Sequence, residues 1–273
     1  MAVTPPPTSH VLAEGSGWHV RDVHCHYGPS DRPFEERHAA VCIGLVVSGS
    51  FTYRASAHPQ LMTPGSLLLG SPGQTFLCAH EHSAGDHCLD FSFTPAFFEQ
   101  IASGAVSNPA HAHLPAARIP ALPALSPFAA RAAAALASPA HAPWEELALS
   151  LAAQTLRLAH GLPGSPKLPP ASLARITRVL RHIERHPAEP HTLAVLAAQA
   201  GLSPYHFLRT FQLATGVTPH QYVRRLRLRQ AATRLALERT TILNIALEAG
   251  FEDLSTFNRA FRAEFQTSPR TLR

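Results

Sequence analysis

The spacing of apolar residues changes along this chain from a period of two to a period near three and a half. Residues 40–47 form an apolar, β-branched run, Gly49-Ser50 marks a turn, and 51–54 returns as a short strand. Pro64-Gly65 introduces 66–69, Pro72-Gly73 introduces 75–80, and Leu89-Asp90-Phe91-Ser92-Phe93 alternates strictly. Many short strands punctuated by glycine and proline predict a small barrel or sandwich. Beyond it, 95–101 predicts a short helix and the Ala/Pro-rich stretch to about 127 predicts irregular chain. Residues 144–160 predict a helix with Trp144, Leu147, Leu151 and Leu158 on one face, to be packed on the barrel or on a partner subunit.

The last hundred residues write one helical pattern twice. Leu196-Ala197-Ala198-Gln199-Ala200-Gly201-Leu202 aligns with Ile245-Ala246-Leu247-Glu248-Ala249-Gly250-Phe251, and Phe207, Arg209, Phe211 and Pro219 recur as Phe257, Arg259, Phe261 and Pro269. In the first copy Thr192 caps a helix with Leu193, Leu196, Ala197 and Ala200 on one stripe, and Gly201 supplies the left-handed stop. Ser203-Pro204 then starts a second helix that buries Phe207, Phe211 and Ala214, leaving Tyr205, His206, Leu208, Arg209 and Gln212 outward or sideways. In the second copy Thr241 caps, Gly250 turns the chain, and Asp253 caps a helix that buries Phe257 and Phe261 and leaves Leu254, Ser255, Asn258, Arg259 and Arg262 open. Each copy therefore predicts a helix-turn-helix, whose second helix fits the major groove of duplex DNA. The arginine-rich helix predicted between them, 220–237, is about 27 Å long, comparable to the roughly 34 Å between successive major-groove faces on one side of the duplex. An ordinary helical bundle would require neither twin glycine turns nor an arginine at the same exposed place in both copies.

Charge follows the same division. From residue 172 onward 15 arginines face 7 acids, net +8, whereas residues 1–171 hold 8 basic and 11 acidic groups, net −3. A cationic module joined to a mildly acidic one is the expectation when only one contacts phosphate. Arg209 and Arg259 are expected to reach base edges, and Arg224, Arg225 and Arg262 to contact phosphate. No signal peptide or bilayer-length apolar run is visible in the sequence, so the protein is expected to be cytoplasmic, with Cys25, Cys42, Cys78 and Cys88 mostly reduced.

One constellation in the first half carries other chemistry. Cys78, His80 and His82 alternate and would share a strand face, Cys88 follows a turn at Gly85-Asp86, and Cys25 lies between His24 and His26. Cys25, Cys78, His80, His82 and Cys88 are a soft ligand set suited to zinc or another thiophilic ion. Plain packing of apolar cysteines is the competing reading. Glu81 would point away from His80 and His82, which argues against a catalytic metal centre.

The segments GLSPYHFLRTFQLATGVTPHQY and IALEAGFEDLSTFNRAFRAEFQTSPRTLR resemble the C-terminal DNA-binding domain of AraC/XylS-type transcription regulators, over residues 173–273. In that family the second helix of each unit reads bases. The resemblance thus implicates Tyr205, His206, Leu208 and Arg209 in the first unit and Leu254, Ser255, Asn258 and Arg259 in the second. Leu208 and Leu254 depart from the polar residues usual there, and contact with thymine methyl groups is the natural substitute. SGSFTYRA and TPGSLLLGSPGQ resemble the cupin-like sensor that precedes this domain, over residues 21–94. The expected architecture is two-domain α+β: a cupin-like β-barrel sensor (1–127), a helical connector and dimerisation region (128–161), a linker (162–171) and an all-α tandem helix-turn-helix domain (172–273). The expected function is a sequence-specific transcriptional regulator without enzyme activity, with double-stranded DNA, RNA polymerase, a small-molecule or metal effector and a second copy of itself as partners. A metal-dependent cupin enzyme with an appended DNA-binding domain is the alternative.

Overall fold

A computed structural model of the chain describes residues 6–33, 35–55, 59–80, 85–107, 113–162 and 168–272. Among these, the strands are β1 (Thr8–Gly15), β2 (Trp18–Cys25), β3 (Glu35–Arg37), β4 (Val41–Gly49), β5 (Phe51–Arg54), β6 (Gln60–Met62), β7 (Leu67–Gly70), β8 (Thr75–Ala79), β9 (Asp86–Phe93) and β10 (Arg118–Ile119). Antiparallel pairing orders them β1-β2-β9-β4-β7-β10 in one sheet and β3-β8-β5-β6 in the other. Strand alternation gives the larger sheet two different faces. Ile43 pairs with Phe91 and Leu45 with Leu89, and this apolar face packs on α1 (Pro95–Ala105) and α3 (Trp144–Ala159) through Phe98, Trp144, Leu147 and Leu151. The opposite face meets the smaller sheet, where Val46 and Leu68 pack with Phe51, Tyr53 and Met62.

That intersheet face is also strongly polar. Asp90 accepts from Arg21 at 2.5 Å, Cys42 at 2.8 Å and Ser92 at 3.0 Å. Polar side chains thus share the intersheet face with the apolar cluster of Val46, Phe51, Tyr53, Met62 and Leu68.

One expectation is narrowed and two need amendment. The face of α3 foreseen for either the barrel or a partner is covered by the barrel, with Leu158 at its margin. The stretch expected to be irregular contains β10 and the start of α2 (Ser126–Ala137). The linker is shorter than expected at its far end: residues 163–167 lie outside the described ones, and Pro170 already occupies the first turn of α4 (Pro170–Arg185), where its missing N–H costs nothing.

The C-terminal part continues with α5 (Leu193–Ala200), α6 (Pro204–Thr215), α7 (Pro219–Leu237), α8 (Ile242–Glu248), α9 (Leu254–Phe265) and α10 (Pro269–Leu272). Two small cores share α7. Ile176, Leu180, Leu196, Phe207, Phe211 and Tyr222 close the first, and Leu228, Leu235, Ile245, Phe257 and Phe261 the second. Ala130 of α2 enters the second core and Leu61 of β6 the first, so the barrel half packs against both. Among the described residues no helix is long and apolar enough to cross a membrane.

Candidate nucleic-acid interface

Both copies of the helical pattern fold as the same local device. Thr192 Oγ1 accepts the Val195 amide at the start of α5, and Thr241 Oγ1 accepts that of Asn244 at the start of α8. Gly201 at φ 63° and Gly250 at φ 81° make the left-handed turns that other residues avoid. Ser203 and Asp253 then cap α6 and α9 through the amides of His206 and Thr256. Phe207 with Phe211, and Phe257 with Phe261, anchor the inner faces with ring centroids 5.5 and 5.4 Å apart.

What remains outside is the expected reading face. Tyr205 (77 % exposed), His206 and Arg209 are open on α6, with Leu208 half-buried beside them. On α9 Ser255, Arg259 and Arg262 are open, and Leu254 and Asn258 are half-buried. Burial of the phenylalanines fixes which side of each helix is left for a partner, and that side carries arginine at Arg209 and Arg259 in both copies.

Along α7 the arginines divide by role. Arg224 is exposed, as phosphate contact requires. Arg225 is not: only 5 % exposed, it donates to the Ala121 carbonyl at 2.6 Å and pairs with buried Glu264 at 3.2 Å. The expectation of a phosphate contact there is wrong, because α7 is covered on that side by α2 and α9 and the guanidinium is spent inside the molecule. Arg227 donates to the carbonyls of Pro187, Glu189 and Gly250, tying the turn of the second unit to the end of α4.

The barrel half holds the far ends of both exposed helices. Arg118 on β10 donates to the Ala214 and Thr215 carbonyls at 2.9 and 3.0 Å, capping the C-terminus of α6 with a cation where the helix dipole favours one. Burial pushes the Arg118 pKa down to about 10, so it stays charged at neutral pH. Eight residues on, Ser126 Oγ hydrogen-bonds Glu264 Oε1 near the C-terminus of α9. Arg229 reaches the Pro64 carbonyl at 2.7 Å. None of these partners is foreshadowed by local sequence, since the pairs stand 96 to 165 positions apart.

The expected thiol and imidazole cluster is assembled differently in the barrel. Cys25, His80 and Asp86 bring their ligand atoms within 4.8 Å of one another, with His80 Nε2 2.5 Å from Asp86 Oδ2 and Cys88 Sγ 3.2 Å from Asp86 Oδ1. Neither Cys78 nor Cys88 is part of the group of three, although Cys88 touches Asp86, and His82 lies outside the described residues. Asp86, read from the sequence as part of a turn, is the first residue of β9 and the centre of the cluster. Its alternation with Cys88, Asp90 and Ser92 was the signal that could have found it. Burial pushes the Cys78 and Cys88 thiols well up. For His80 burial acts to lower the pKa, but hydrogen bonds to Asp86 and Cys25 outweigh it and hold the imidazole at about 9.

Two capped helices separated by a glycine turn, present twice and joined by a long helix, define a tandem helix-turn-helix domain. Residues 196–273 match the helix-turn-helix domain family. It is 38% identical over 98 residues to the transcriptional regulator Rob of Salmonella typhimurium, covering 36% of this chain and 34% of that protein. It is 36% identical over 102 residues to the transcriptional activator RhaS of Escherichia coli O139:H28, covering 37% of each. The chain thus matches about a third of the length of these curated relatives. A transcriptional regulator structure with an AraC-type DNA-binding domain, from Chromobacterium violaceum, aligns at 28% identity and a TM-score of 0.36 over 37% of this chain and 91% of that one.

Proposed function

We propose that the protein is a sequence-specific DNA-binding transcriptional regulator, with the reader at 172–273 and a signal sensed by the barrel at 1–127. The carrying observation is the pair of equivalent open faces on α6 and α9, each with an exposed arginine at the same place. Arg209 and Arg259, with Tyr205, His206, Leu208, Leu254, Ser255 and Asn258, read bases; Arg224 and Arg262 hold phosphate. Such a reader works in the cytoplasm beside RNA polymerase, and a second copy would add avidity. The signal acts through the contacts of Arg118 and Ser126 at the ends of α6 and α9, because a change in the barrel reaches both helices there. The relatives named as transcriptional regulators favour this reading over a cupin enzyme with an appended reader.

The test is selection of duplexes from a random library by the full-length protein, followed by binding of the enriched sequence at increasing salt. Enrichment of one motif, with affinity falling steeply as salt rises, supports the proposal. Recovery of unenriched DNA, or affinity indifferent to salt, contradicts it.

A further inference from the structure

At one end of the barrel, ligand-bearing side chains from both sheets converge. Cys25, the last residue of β2, stands directly across the ladder from Asp86 on β9, and Cys88 projects from the same face of β9 two residues on. His80 arrives from the opposite sheet, immediately after β8, with its side chain only 2 % exposed. We propose that Cys25, His80 and Asp86, with Cys88 as fourth ligand, form a binding site for a zinc-class divalent cation.

The donor set and spacing carry this. Two thiolate sulfurs, one imidazole nitrogen and one carboxylate oxygen are a four-coordinate set for a borderline-soft ion. Bonds of about 2.0–2.3 Å in a tetrahedron place ligand atoms roughly 3.3–3.8 Å apart. The three atoms already within 4.8 Å of one another must close by at most about 1.5 Å, the His80–Asp86 pair opens to admit the ion between them, and Cys88, outside that group but 3.2 Å from Asp86, swings in as the fourth ligand. Both buried carboxylates accept from a thiol, but Asp90 is met in addition by the guanidinium of Arg21, whereas Asp86 is met by the imidazole of His80. A second group, Asp22 with His24 and His87, lies on the other face of the same two strands. There the ligand atoms also lie within 4.8 Å of one another, but the set has no thiol, its two imidazoles stack 4.1 Å apart, and the His24 side chain is 40 % exposed. An ion at the first site would join the end of β2 to the opposite sheet, closing the barrel where three chain segments meet.

The experiment is titration of reduced, chelator-stripped full-length protein with Co2+, followed by displacement with Zn2+. One Co2+ per chain is expected, with a thiolate-to-cobalt charge-transfer band and the intense visible absorption of tetrahedral cobalt. Cys25→Ser, Cys88→Ser and Asp86→Asn should each weaken binding at least about ten-fold, since even outer partners of metal ligands change affinity by 10- to 100-fold. His87→Gln should leave it unchanged. Lack of a thiolate band in the wild-type protein overturns the site regardless of how the variants fold. So does wild-type affinity in folded Cys25→Ser, or loss of binding in His87→Gln.

Discussion

At the residue scale, exposure separates arginines that composition cannot. Arg209→Ala and Arg259→Ala should each cost about 1–3 kcal/mol on the selected duplex and relax preference at neighbouring bases, with little change in thermal stability. Arg224→Ala should weaken all duplexes alike and flatten the dependence of affinity on salt. Arg225→Ala should do neither directly. Removing it leaves Glu264 buried and short of a partner, a change that costs about 3–5 kcal/mol of stability, visible as a lower denaturation midpoint. A flattened salt slope with an unchanged midpoint for Arg225→Ala would return that residue to the surface. The caps Thr192, Ser203, Thr241 and Asp253 were legible because each serves amides within three residues of itself. Arg225 was not, because its burial is decided by helices that arrive from elsewhere in the chain.

At the element scale, the helix-turn-helix pairs could be read from the sequence because periodicity, caps and glycine stops agree. Helix α4 carries a stripe of Leu173, Ile176, Leu180 and Ile183, but the proline run that leads into it masks its start in the sequence, because Pro170 belongs to its first turn. That helix introduces a titration. Burial pushes the pKa of Glu184 from 4.5 up to about 7, against the hydrogen bond donated by Tyr222 and the charge of Arg181, which lower it. Because the folded state holds this proton more tightly than the unfolded chain, its contribution to stability is complete below about pH 4.5 and is lost as pH rises through about 7. Urea midpoints on either side of this window should therefore fall toward alkaline pH, and Glu184→Gln should remove that component of the slope. An identical slope in the variant would show that the carboxyl titrates as an ordinary exposed one.

At the scale of the whole molecule, the barrel and the reader are joined by polar contacts as well as by apolar ones. The two-domain α+β class was legible from the change in hydrophobic period. The joint was not, because Arg118, Ser126 and Arg229 find their partners across 96 to 165 positions. Arg118→Ala should uncap α6 and shift the full-length protein's DNA affinity toward that of a fragment beginning at residue 168. Faster amide hydrogen exchange at the C-terminal end of α6 is the structural readout. Unchanged exchange and unchanged affinity would mean that the barrel only rests on the reader.

On this reading α6 and α9 are two separate readers on one chain. Methylation interference on the selected duplex tests it most directly, with wild-type protein beside Arg209→Ala and Arg259→Ala. Two tracts of major-groove contact are expected, about 10–10.5 base pairs apart, one erased by Arg209→Ala and the other by Arg259→Ala. A single tract, or loss of the same tract in both variants, would mean that the two helices do not read DNA separately.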